Sequence, residues 1–330
     1  MPKPKVFVTR KIAQEALDTI ANATDMELWE DELPPPRNVL LNKVRNIEGL
    51  LSLLTERVDD ELMEAAPELK VVSNMAVGYD NIDITEATKR GIFVGNTPGV
   101  LTETTADFSF ALLMATVRRL VEADKYTREG NWKTWSPMVL LGHDIHHAML
   151  GIVGCGRIGL EVAKRARGFD MQVIYYDKKR RTPEEEKDFC LEFVPNLTDL
   201  LARADFVSIH TALTPDTQHL IGTAEFAQMK PTAILINAAR GAIVDQKALY
   251  QALKSHQILA AGLDVTEVEP IQPDDPLLTL DNIIIAPHIA SATVATRTKM
   301  AIMAAENLIS GLRNEPPPNC VNPEVQKQQR

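Results

Sequence analysis

The stretch MLGIVGCGRIGLEVAKR, residues 149–165, constrains the fold more than any other part of this 330-residue chain. Its glycines Gly154, Gly156 and Gly159 follow an apolar run typical of a buried strand and open an amphipathic helical pattern. In this context the first glycine permits a tight turn, the second lets the backbone approach a pyrophosphate, and the third allows close packing of helix on strand. The stretch therefore predicts a dinucleotide-binding strand–turn–helix, with phosphates at the helix N-terminus.

An acidic residue ends the next predicted strand, QVIYYD, 18 residues after Gly159. Asp177 at this position can accept hydrogen bonds from both hydroxyls of an adenosine ribose and repel a 2′-phosphate, which favours NAD. The basic run that follows, Lys178 to Arg181, could instead attract that phosphate, or could simply form a solvated charged surface. We therefore expect NAD as the cofactor, with NADP as the alternative.

Short apolar or β-branched runs alternate with helical patterns along the chain, as in KVFVTR followed by KIAQEALDTIA and GLLSLL followed by DDELMEAA. This alternation predicts an α/β fold with parallel sheets covered by helices, and binding sites at the carboxyl ends of the strands. One segment differs, because residues 102–130 form a single long, largely apolar helical pattern that ends at Gly130. Such a helix could span two domains, form a subunit interface or lie in the core.

The composition excludes several classes of function. A formal net charge of −10 argues against nucleic acid or an anionic membrane as the main partner, since both need a basic face. The cysteines Cys155, Cys190 and Cys320 are far apart and indicate neither a disulfide framework nor a zinc site. The N-terminal apolar run is too short for a signal peptide, and no segment has the apolar length of a membrane span. We therefore expect a cytoplasmic enzyme or binding protein without a metal.

Polar side chains follow the last three predicted strands. Arg240 follows AILINAA, the carboxylates Asp264, Glu267 and Glu269 follow AAGL, and His288 ends NIIIAPH, a run typical of a buried strand. Reduction of a 2-oxo acid needs such groups: a guanidinium binds the carboxylate, an imidazole donates the proton and a carboxylate orients the imidazole. Singly, each residue could instead be a helix cap, a loop carboxylate or a buried histidine with a satisfied hydrogen bond. Together, behind a dinucleotide fold, they predict an oxidoreductase site.

In order and approximate spacing, several motifs resemble those of the D-isomer-specific 2-hydroxyacid dehydrogenases over essentially the whole chain. The resemblance rests on VGYDNIDI, NTPGVLTETTAD, GIVGCGRIG, INAARGAIVD, LDVTEVEP and APHIASAT. Within that family the chain is most similar to the glyoxylate/hydroxypyruvate reductases, through AVGYDNIDITEATKRGI, VLTETTAD and RRLVEAD. The resemblance implies NAD(P)H-dependent reduction of a small 2-oxo acid, glyoxylate or hydroxypyruvate, to the 2-hydroxy acid.

The resemblance also implies an architecture of two Rossmann-like domains with parallel sheets. Residues 1–101 and 289–330 would form a discontinuous substrate domain, and residues 102–288 the dinucleotide-binding domain. Relatives typically form homodimers through the long helix and the loop after it, so we expect a homodimer. Trp132 and Trp135 lie in that loop and would either reach a neighbouring active site or pack in the interface.

The site residues implied by the resemblance are read from the matching motifs. The catalytic set falls on Arg240, Glu269 and His288, whereas Glu267 occupies a different place in the pattern. The substrate-binding positions are Leu54, Val77, Gly78 and Ser291, of which Val77 and Gly78 would offer backbone amides to the substrate carboxylate. The expected cofactor contacts are Thr105, Gly154, Gly156, Arg157, Ile158, Gly159, Asp177, His210, Thr211, Ala212, Leu213, Thr217, Ala238 and Asp264.

The chain departs from the family pattern at a few positions. GHDIHHAM stands where relatives have a Gly-Lys-Thr-like turn, and its histidines, His143 and His147, lack the carboxylate or cysteine pattern of a metal site. Ala212 replaces a proline, which could loosen the loop over the adenosine. Ala290 replaces a glycine, so its backbone has less freedom near the nicotinamide.

Other activities within the same fold stay open at the level of sequence. Phosphite dehydrogenases resemble one another in placing a lysine in the substrate loop, where this chain has Val77. Other 2-hydroxyacid dehydrogenases share the catalytic groups. Dinucleotide-sensing co-repressors can also keep these groups while binding partner peptides. Turnover of glyoxylate would separate a reductase from such a sensor.

Overall fold

The computed structural model describes residues 2–328, which fold as two compact α/β units. One unit ends at Leu101 and resumes at Ala292, and the other comprises Thr102–Ser291. Within each sheet every pair of neighbouring strands is parallel, so the α/β prediction from the alternation of strand and helix patterns is confirmed.

The strands and helices of residues 2–328 are numbered in chain order. The strands are β1 Lys5–Val8, β2 Asp25–Leu28, β3 Gly49–Ser52, β4 Val71–Asn74, β5 Phe93–Gly95, β6 Met149–Val153, β7 Gln172–Tyr176, β8 Leu191–Phe193, β9 Phe206–Ile209, β10 Ile234–Asn237, β11 Ala260–Leu263 and β12 Ile283–Ile285. The helices are α1 Gln14–Ala23, α2 Arg37–Lys43, α3 Asp60–Ala65, α4 Ile84–Lys89, α5 Thr102–Val117, α6 Leu120–Arg128, α7 Arg157–Ala166, α8 Pro183–Phe189, α9 Leu197–Arg203, α10 Thr223–Phe226, α11 Gln246–Lys254, α12 Val294–Leu312 and α13 Val325–Gln328. Short 3-10 turns lie at Val44–Asn46, Arg167–Phe169, Gly241–Ile243 and Pro276–Thr279.

The first unit is built on a sheet with the strand order β2-β1-β3-β4-β5. Strands β3, β4 and β5 are fully buried, as expected for a parallel sheet covered on both faces, whereas edge strand β2 has no buried residue. Helix α12 packs on this sheet, where the Ser73 hydroxyl donates to the Ala304 carbonyl at 2.7 Å. A Cβ on Gly311 would lie 2.5 Å from the Cβ of Val71, so glycine allows the close approach of this helix to β4. Helix α12, although it lies near the C-terminus of the chain, is therefore part of the first unit's core.

The second unit has a sheet with the strand order β12-β11-β10-β9-β6-β7-β8. The chain moves outward from β6 through β7 to β8, then returns to β9 on the other side of β6 and continues to β12. Loops at the carboxyl ends of β6 and β9 therefore diverge, and such a reversal point is where open α/β sheets bind dinucleotides. Buried clusters cover both faces, with Leu235 and Val207 in one and Ile236 and Ile152 in the other.

The long helix predicted over residues 102–130 is wrong as a single element, because the chain forms α5 and α6 there. Arg119 separates them with a φ of 53°, which a right-handed helix cannot contain. Helix α5 is largely buried, whereas α6 contains no buried residue. The predicted stop at Gly130 is confirmed: this glycine has a φ of 71°, and its N–H donates to the Thr127 carbonyl at 3.0 Å.

The prediction that NIIIAPH forms a buried strand is also wrong in part. Strand β12 forms, but Ile283–Ile285 is only half-buried because the strand lies at the edge of the sheet, with β11 as its neighbour.

No helix within residues 2–328 is long and apolar enough to cross a membrane.

Candidate active site

The glycine loop joins β6 to α7, as its sequence predicts. Gly154 has a φ of 90°, and a Cβ there would lie 2.5 Å from the backbone nitrogen of Thr211. A Cβ on Gly159 would lie 2.5 Å from the Gly154 carbonyl oxygen, so this glycine lets α7 pack on the loop. A Cβ on Gly156, by contrast, would meet no atom within 4 Å. The loop thus leaves open space in front of the first-turn amides of α7, including those of Arg157 and Ile158, which suits a pyrophosphate.

Asp177 lies beside this loop at the end of β7. Its Oδ2 accepts a hydrogen bond from the Cys155 N–H at 2.8 Å, and its Oδ1 accepts one from the Lys179 N–H at 3.1 Å. A carboxylate has about four lone-pair sites, so both oxygens retain the capacity to accept ribose hydroxyls. Asp177 therefore braces the glycine loop and is suited to bind a ribose.

The basic residues after Asp177 are mostly paired with carboxylates. Arg180 also lies over the ring of Phe193, 5.3 Å from its centroid. Arg180 and the Tyr175 hydroxyl both bond to Glu186 and lower the pKa of this carboxyl to about 2. The ion pairs are Lys178 with Asp216 at 2.6 Å, Arg180 with Glu186 at 2.8 Å and Arg181 with Glu185 at 3.6 Å. The charged run is therefore largely neutralised by its own neighbours.

The loop after β9 carries further expected cofactor contacts, Thr211 and Leu213 among them. His210 begins it, with Nε2 2.8 Å from the Ser208 hydroxyl, and desolvation lowers the pKa of His210 to about 4. The Thr217 hydroxyl donates to the Ala212 carbonyl at 2.7 Å and accepts from a backbone N–H of the same turn. The loop is therefore braced at the position where Ala212 replaces the proline of relatives.

The expected catalytic residues lie at the carboxyl ends of three adjacent strands. Arg240 follows β10, Glu269 follows β11 and His288 follows β12. His288 Nδ1 lies 2.7 Å from Glu269 Oε2, which leaves Nε2 on the opposite side of the ring. Arg240 is held at its backbone, where the Asn237 side-chain amide donates to its carbonyl at 2.9 Å. The arrangement places an oriented imidazole and a guanidinium at the carboxyl ends of strands in the same sheet.

Asp264 holds the backbone that carries His288. The His288 N–H donates to the Asp264 carbonyl, and the N–H groups of Ile289 and Ala290 donate to its Oδ1 and Oδ2, each at 2.8 Å. Burial raises the pKa of this carboxyl. The left-handed residue of the loop is His288 itself, with a φ of 55°, and Ala290 does not have a positive φ. The alanine that replaces a family glycine therefore imposes no strain at position 290.

The two glutamates of LDVTEVEP contact different histidines. Glu269 pairs with His288, whereas Glu267 Oε1 lies 2.8 Å from His219 Nε2. Of the two glutamates, Glu269 is thus the one in contact with the imidazole at the end of β12. His219 is a residue that the sequence pattern did not single out.

The expected substrate residues Leu54, Val77 and Gly78 belong to the first unit, at the carboxyl ends of β3 and β4. The Asn96 side chain donates to the Val77 carbonyl at 2.8 Å, and the Asn74 side chain donates to the Gly78 carbonyl at 3.0 Å. Because a trans peptide is planar, the N–H of Gly78 points away from the Val77 carbonyl. Asn96 therefore orients the Gly78 amide, and Asn74 orients the amide that follows it.

These asparagines were missed in the sequence, as were Asn81 and Glu56. Asn81 donates to the Leu53 carbonyl at 3.0 Å, and buried Glu56 accepts from the Leu53 N–H at 2.6 Å, so both brace the residue before Leu54. A usable signal existed for two of them, because Asn74 ends β4 and Asn96 directly follows β5, where a parallel sheet gathers its polar groups.

The remaining expected residues lie in the second unit. Thr105 is buried on α5, Ala238 directly follows β10, and Ser291 follows the loop that Asp264 holds. This unit therefore brings together the expected catalytic and cofactor residues, while the expected substrate loop lies in the other unit.

Within residues 2–328, no group of three or more His, Cys, Asp or Glu side chains could hold a metal ion.

Comparison with known proteins places these residues in a family context. Residues 110–290 match the family model described as D-isomer specific 2-hydroxyacid dehydrogenase, NAD binding domain. The glyoxylate reductase of Korarchaeum cryptofilum is 57% identical over 326 residues, which cover 98% of each chain.

Solved structures agree with that result. The TT0316 protein of Thermus thermophilus is 45% identical with a TM-score of 0.90, covering 96% of this chain and 99% of its own. The NADPH-dependent glyoxylate/hydroxypyruvate reductase of Sinorhizobium meliloti, solved with NADP and malonate, is 31% identical with a TM-score of 0.82, covering 97% of each chain.

The depressed pKa of His210 predicts a pH-dependent stability. Between pH 6.5, the ordinary pKa, and about 4, the folded pKa, the unfolded chain binds more protons, so the free energy of unfolding falls as the pH is lowered. The penalty is absent above pH 6.5 and reaches up to about 3 kcal/mol near pH 4. Thermal unfolding between pH 7 and 5 should show a smaller loss in His210→Asn. An equal loss in wild type, His210→Asn and the exposed-site control His256→Asn would contradict this.

Proposed function

Because the chain belongs to the D-isomer-specific 2-hydroxyacid dehydrogenases, we propose that it reduces glyoxylate or hydroxypyruvate to the 2-hydroxy acid with a nicotinamide dinucleotide. The contact of His288 with Glu269 carries this proposal, because it orients an imidazole at the edge of the sheet that also bears the glycine loop. Glyoxylate as a substrate is supported by relatives of that name that are similar over nearly the whole chain.

The chemistry divides among three side chains. Arg240 would bind the substrate carboxylate and polarise the keto group through its fixed fork of N–H donors. His288 would donate the proton on Nε2 to the carbonyl oxygen, while Glu269 keeps the ring oriented through Nδ1. When bound, the reduced nicotinamide supplies the hydride that is added to the keto carbon.

The amides of Val77 and Gly78 would receive the substrate carboxylate, with Leu54 and Ser291 as further contacts. Two asparagines already fix the carbonyls of this loop, which supports a preorganised amide site. Val77 offers no cation, so the loop suits a singly charged 2-oxo acid better than a doubly charged anion such as phosphite.

Replacement of His288 should strongly reduce turnover and leave cofactor binding intact. In His288→Ala and His288→Asn we expect kcat with glyoxylate to fall ~10²–10⁴-fold, the usual contribution of a positioned general acid. Asparagine tolerates a positive φ, so His288→Asn removes the acid without a backbone penalty. The assay follows NADH absorbance, with NADH affinity measured by fluorescence titration. His256→Asn, another histidine with a φ of 55°, is the matched control.

Retained turnover in both variants would show that His288 is not the acid. Loss of NADH binding together with turnover would indicate a structural role. If the wild-type protein binds NADH but reduces no 2-oxo acid, then the reductase assignment fails and a sensor function is favoured.

NADH is the cofactor that we expect the enzyme to prefer. Asp177 lies beside the glycine loop, where it would accept ribose hydroxyls, and the basic residues that could attract a 2′-phosphate are largely engaged by carboxylates. The Sinorhizobium meliloti relative uses NADPH, so the preference is not uniform among similar proteins.

Removing the carboxylate of Asp177 should shift the preference toward NADPH. We expect the ratio of kcat/KM with NADPH to that with NADH to rise about tenfold or more in Asp177→Asn, because repulsion is lost together with hydrogen bonds of ~1–3 kcal/mol. The ratio cancels any general effect of weakening the bond to the Cys155 amide. Asp216→Asn, which frees Lys178 and keeps Asp177, should raise the ratio less. An unchanged ratio in Asp177→Asn would contradict the assignment.

A homodimer is supported by the apolar surface of residues 120–141. Large apolar side chains between 39% and 78% exposed are concentrated there, and α6 buries none of its residues. An apolar surface of this kind marks an interaction site more often than a free surface. The side chains are Leu120, Val121, Trp132, Trp135, Met138, Val139 and Leu141.

Charged substitutions on this surface should dissociate the dimer. In the double variant Val121→Asp, Trp135→Asp we expect light scattering to give the monomer mass, while the wild-type protein gives twice that mass. Leu33→Asp, an equally exposed apolar site in the first unit, should remain dimeric. A monomeric wild type, or a double variant that stays dimeric, would contradict the proposal.

A further inference from the structure

We propose that His219 and Glu267 form a positioning pair that sets Arg240 and Glu269 relative to each other. The inference deepens the proposed function and rests on it. Its basis is that LDVTEVEP carries two glutamates, each bonded to a histidine, and only the Glu269–His288 pair is used in the reaction proposed above. Neither His219 nor Glu267 takes part in the reaction proposed above, so the second pair needs its own explanation.

The backbone of His219 is bonded to the segment that follows Arg240. Its N–H donates to the Ala242 carbonyl at 2.8 Å, and the Ile221 N–H donates to the Ile243 carbonyl at 3.1 Å. Residues 219–221 therefore run alongside the short helix Gly241–Ile243. Any movement of this helix moves both His219 and the backbone of Arg240.

The same helix lies directly against the backbone of the glutamate loop. A Cβ on Gly241 would lie 1.9 Å from the Thr266 carbonyl oxygen and 2.4 Å from the Glu267 nitrogen. Only glycine permits this approach, so the segment after Arg240 and the loop before Glu269 are in contact along their main chains. Glu267 is held there as well by its N–H, which donates to the Gln246 side chain at 2.9 Å.

The side chain of His219 closes a ring between these two segments. Its Nε2 lies 2.8 Å from Glu267 Oε1, two residues before Glu269. Within the loop, the Thr266 N–H donates to Glu269 Oε1 at 3.2 Å, so a displaced loop would displace the carboxylate that orients His288. The contacts thus link Arg240 through Ala242, His219 and Glu267 to Glu269, and the approach of Gly241 to Thr266 closes the loop of contacts.

The pair is suited to positioning more than to stability. Its side chains are 41% and 33% exposed, and ion pairs of such exposure add little to the free energy of unfolding. A displacement of about 1 Å at a catalytic group, however, can cost on the order of a hundredfold in rate. Loss of the pair should therefore reduce catalysis while leaving thermal stability nearly unchanged.

The test uses variants that break the pair without straining the backbone. His219 has a φ of 52°, which the asparagine of His219→Asn tolerates, and that shorter side chain cannot reach the glutamate. Glu267→Ala removes the partner, and Glu267→Gln restores a hydrogen-bonding group of the same length. His146→Asn is the matched control, because His146 lies 3.8 Å from Asp144 in an exposed pair away from the glutamate loop.

We expect His219→Asn and Glu267→Ala each to lower kcat/KM for glyoxylate about tenfold. The NADH dissociation constant and the thermal unfolding midpoint should stay close to wild type. The double variant should be no worse than either single variant, and Glu267→Gln should recover most of the activity. Unchanged kcat/KM in both single variants, strictly additive losses, or an equal loss in His146→Asn would overturn the proposal.

Amide hydrogen exchange tests the pair without relying on activity. In both pair-breaking variants, peptides covering residues 240–243 and 264–269 should exchange faster, and in His146→Asn they should not. Unchanged exchange in both segments would also overturn the inference. A wild-type enzyme that turns over no 2-oxo acid would refute the proposed function, while the exchange measurement would still decide whether the pair couples the two segments.

Discussion

The bonds of Asp264 to the backbone of residues 288–290 are the constraint on which the expected catalytic site depends. Three N–H groups in a row donate to this one residue, two of them to its carboxylate. They hold His288 in a left-handed conformation that a side chain with a Cβ adopts rarely. Because the backbone is set in this way, the imidazole can turn Nδ1 toward Glu269 and keep Nε2 on the other side. The His288 side chain is thus oriented from two directions, by its main chain and by its partner.

Polar side chains also hold loop backbone elsewhere in both units. Asn74 and Asn96 hold the carbonyls of the Val77–Gly78 loop, and Asp177 holds the Cys155 amide of the glycine loop. Polar groups at the carboxyl ends of the strands therefore act largely on loop backbone, since unpaired buried amides and carbonyls are costly. These side chains bond to loop backbone, and the loops they hold carry the residues that we expect to face a ligand.

Much of the architecture could be predicted because periodicity and strand exits are local signals. The glycine pattern identified β6 and α7, and the parallel arrangement followed from alternating strand and helix patterns. The break at Arg119 could not be predicted, because neither glycine nor proline marks it. The half-burial of β12 depends on its edge position, and strand order is a tertiary property.

The site residues show the same limit. The placement of Arg240, Glu269 and His288 after strands could be predicted, but the choice of Glu269 over Glu267 rests on the family motif and stays a prediction. The partner of Glu267, His219, lies 48 residues away in a loop without periodicity. Asp264 was expected to contact the cofactor, and its bonds to residues 288–290 were not foreseen, since they join loops 25 and 26 residues apart.

The turn at Arg119 has a consequence for how the chain behaves at different concentrations. It directs α6 away from the path of α5, and the nine residues of α6 contribute no buried side chain to the unit that contains them. A helix of this length is marginal in water without packing, so its order depends on whatever covers its apolar residues. If a second copy of the chain covers them, mass action governs this segment. Dilution would then loosen α6 first, while the cores of both units stay folded.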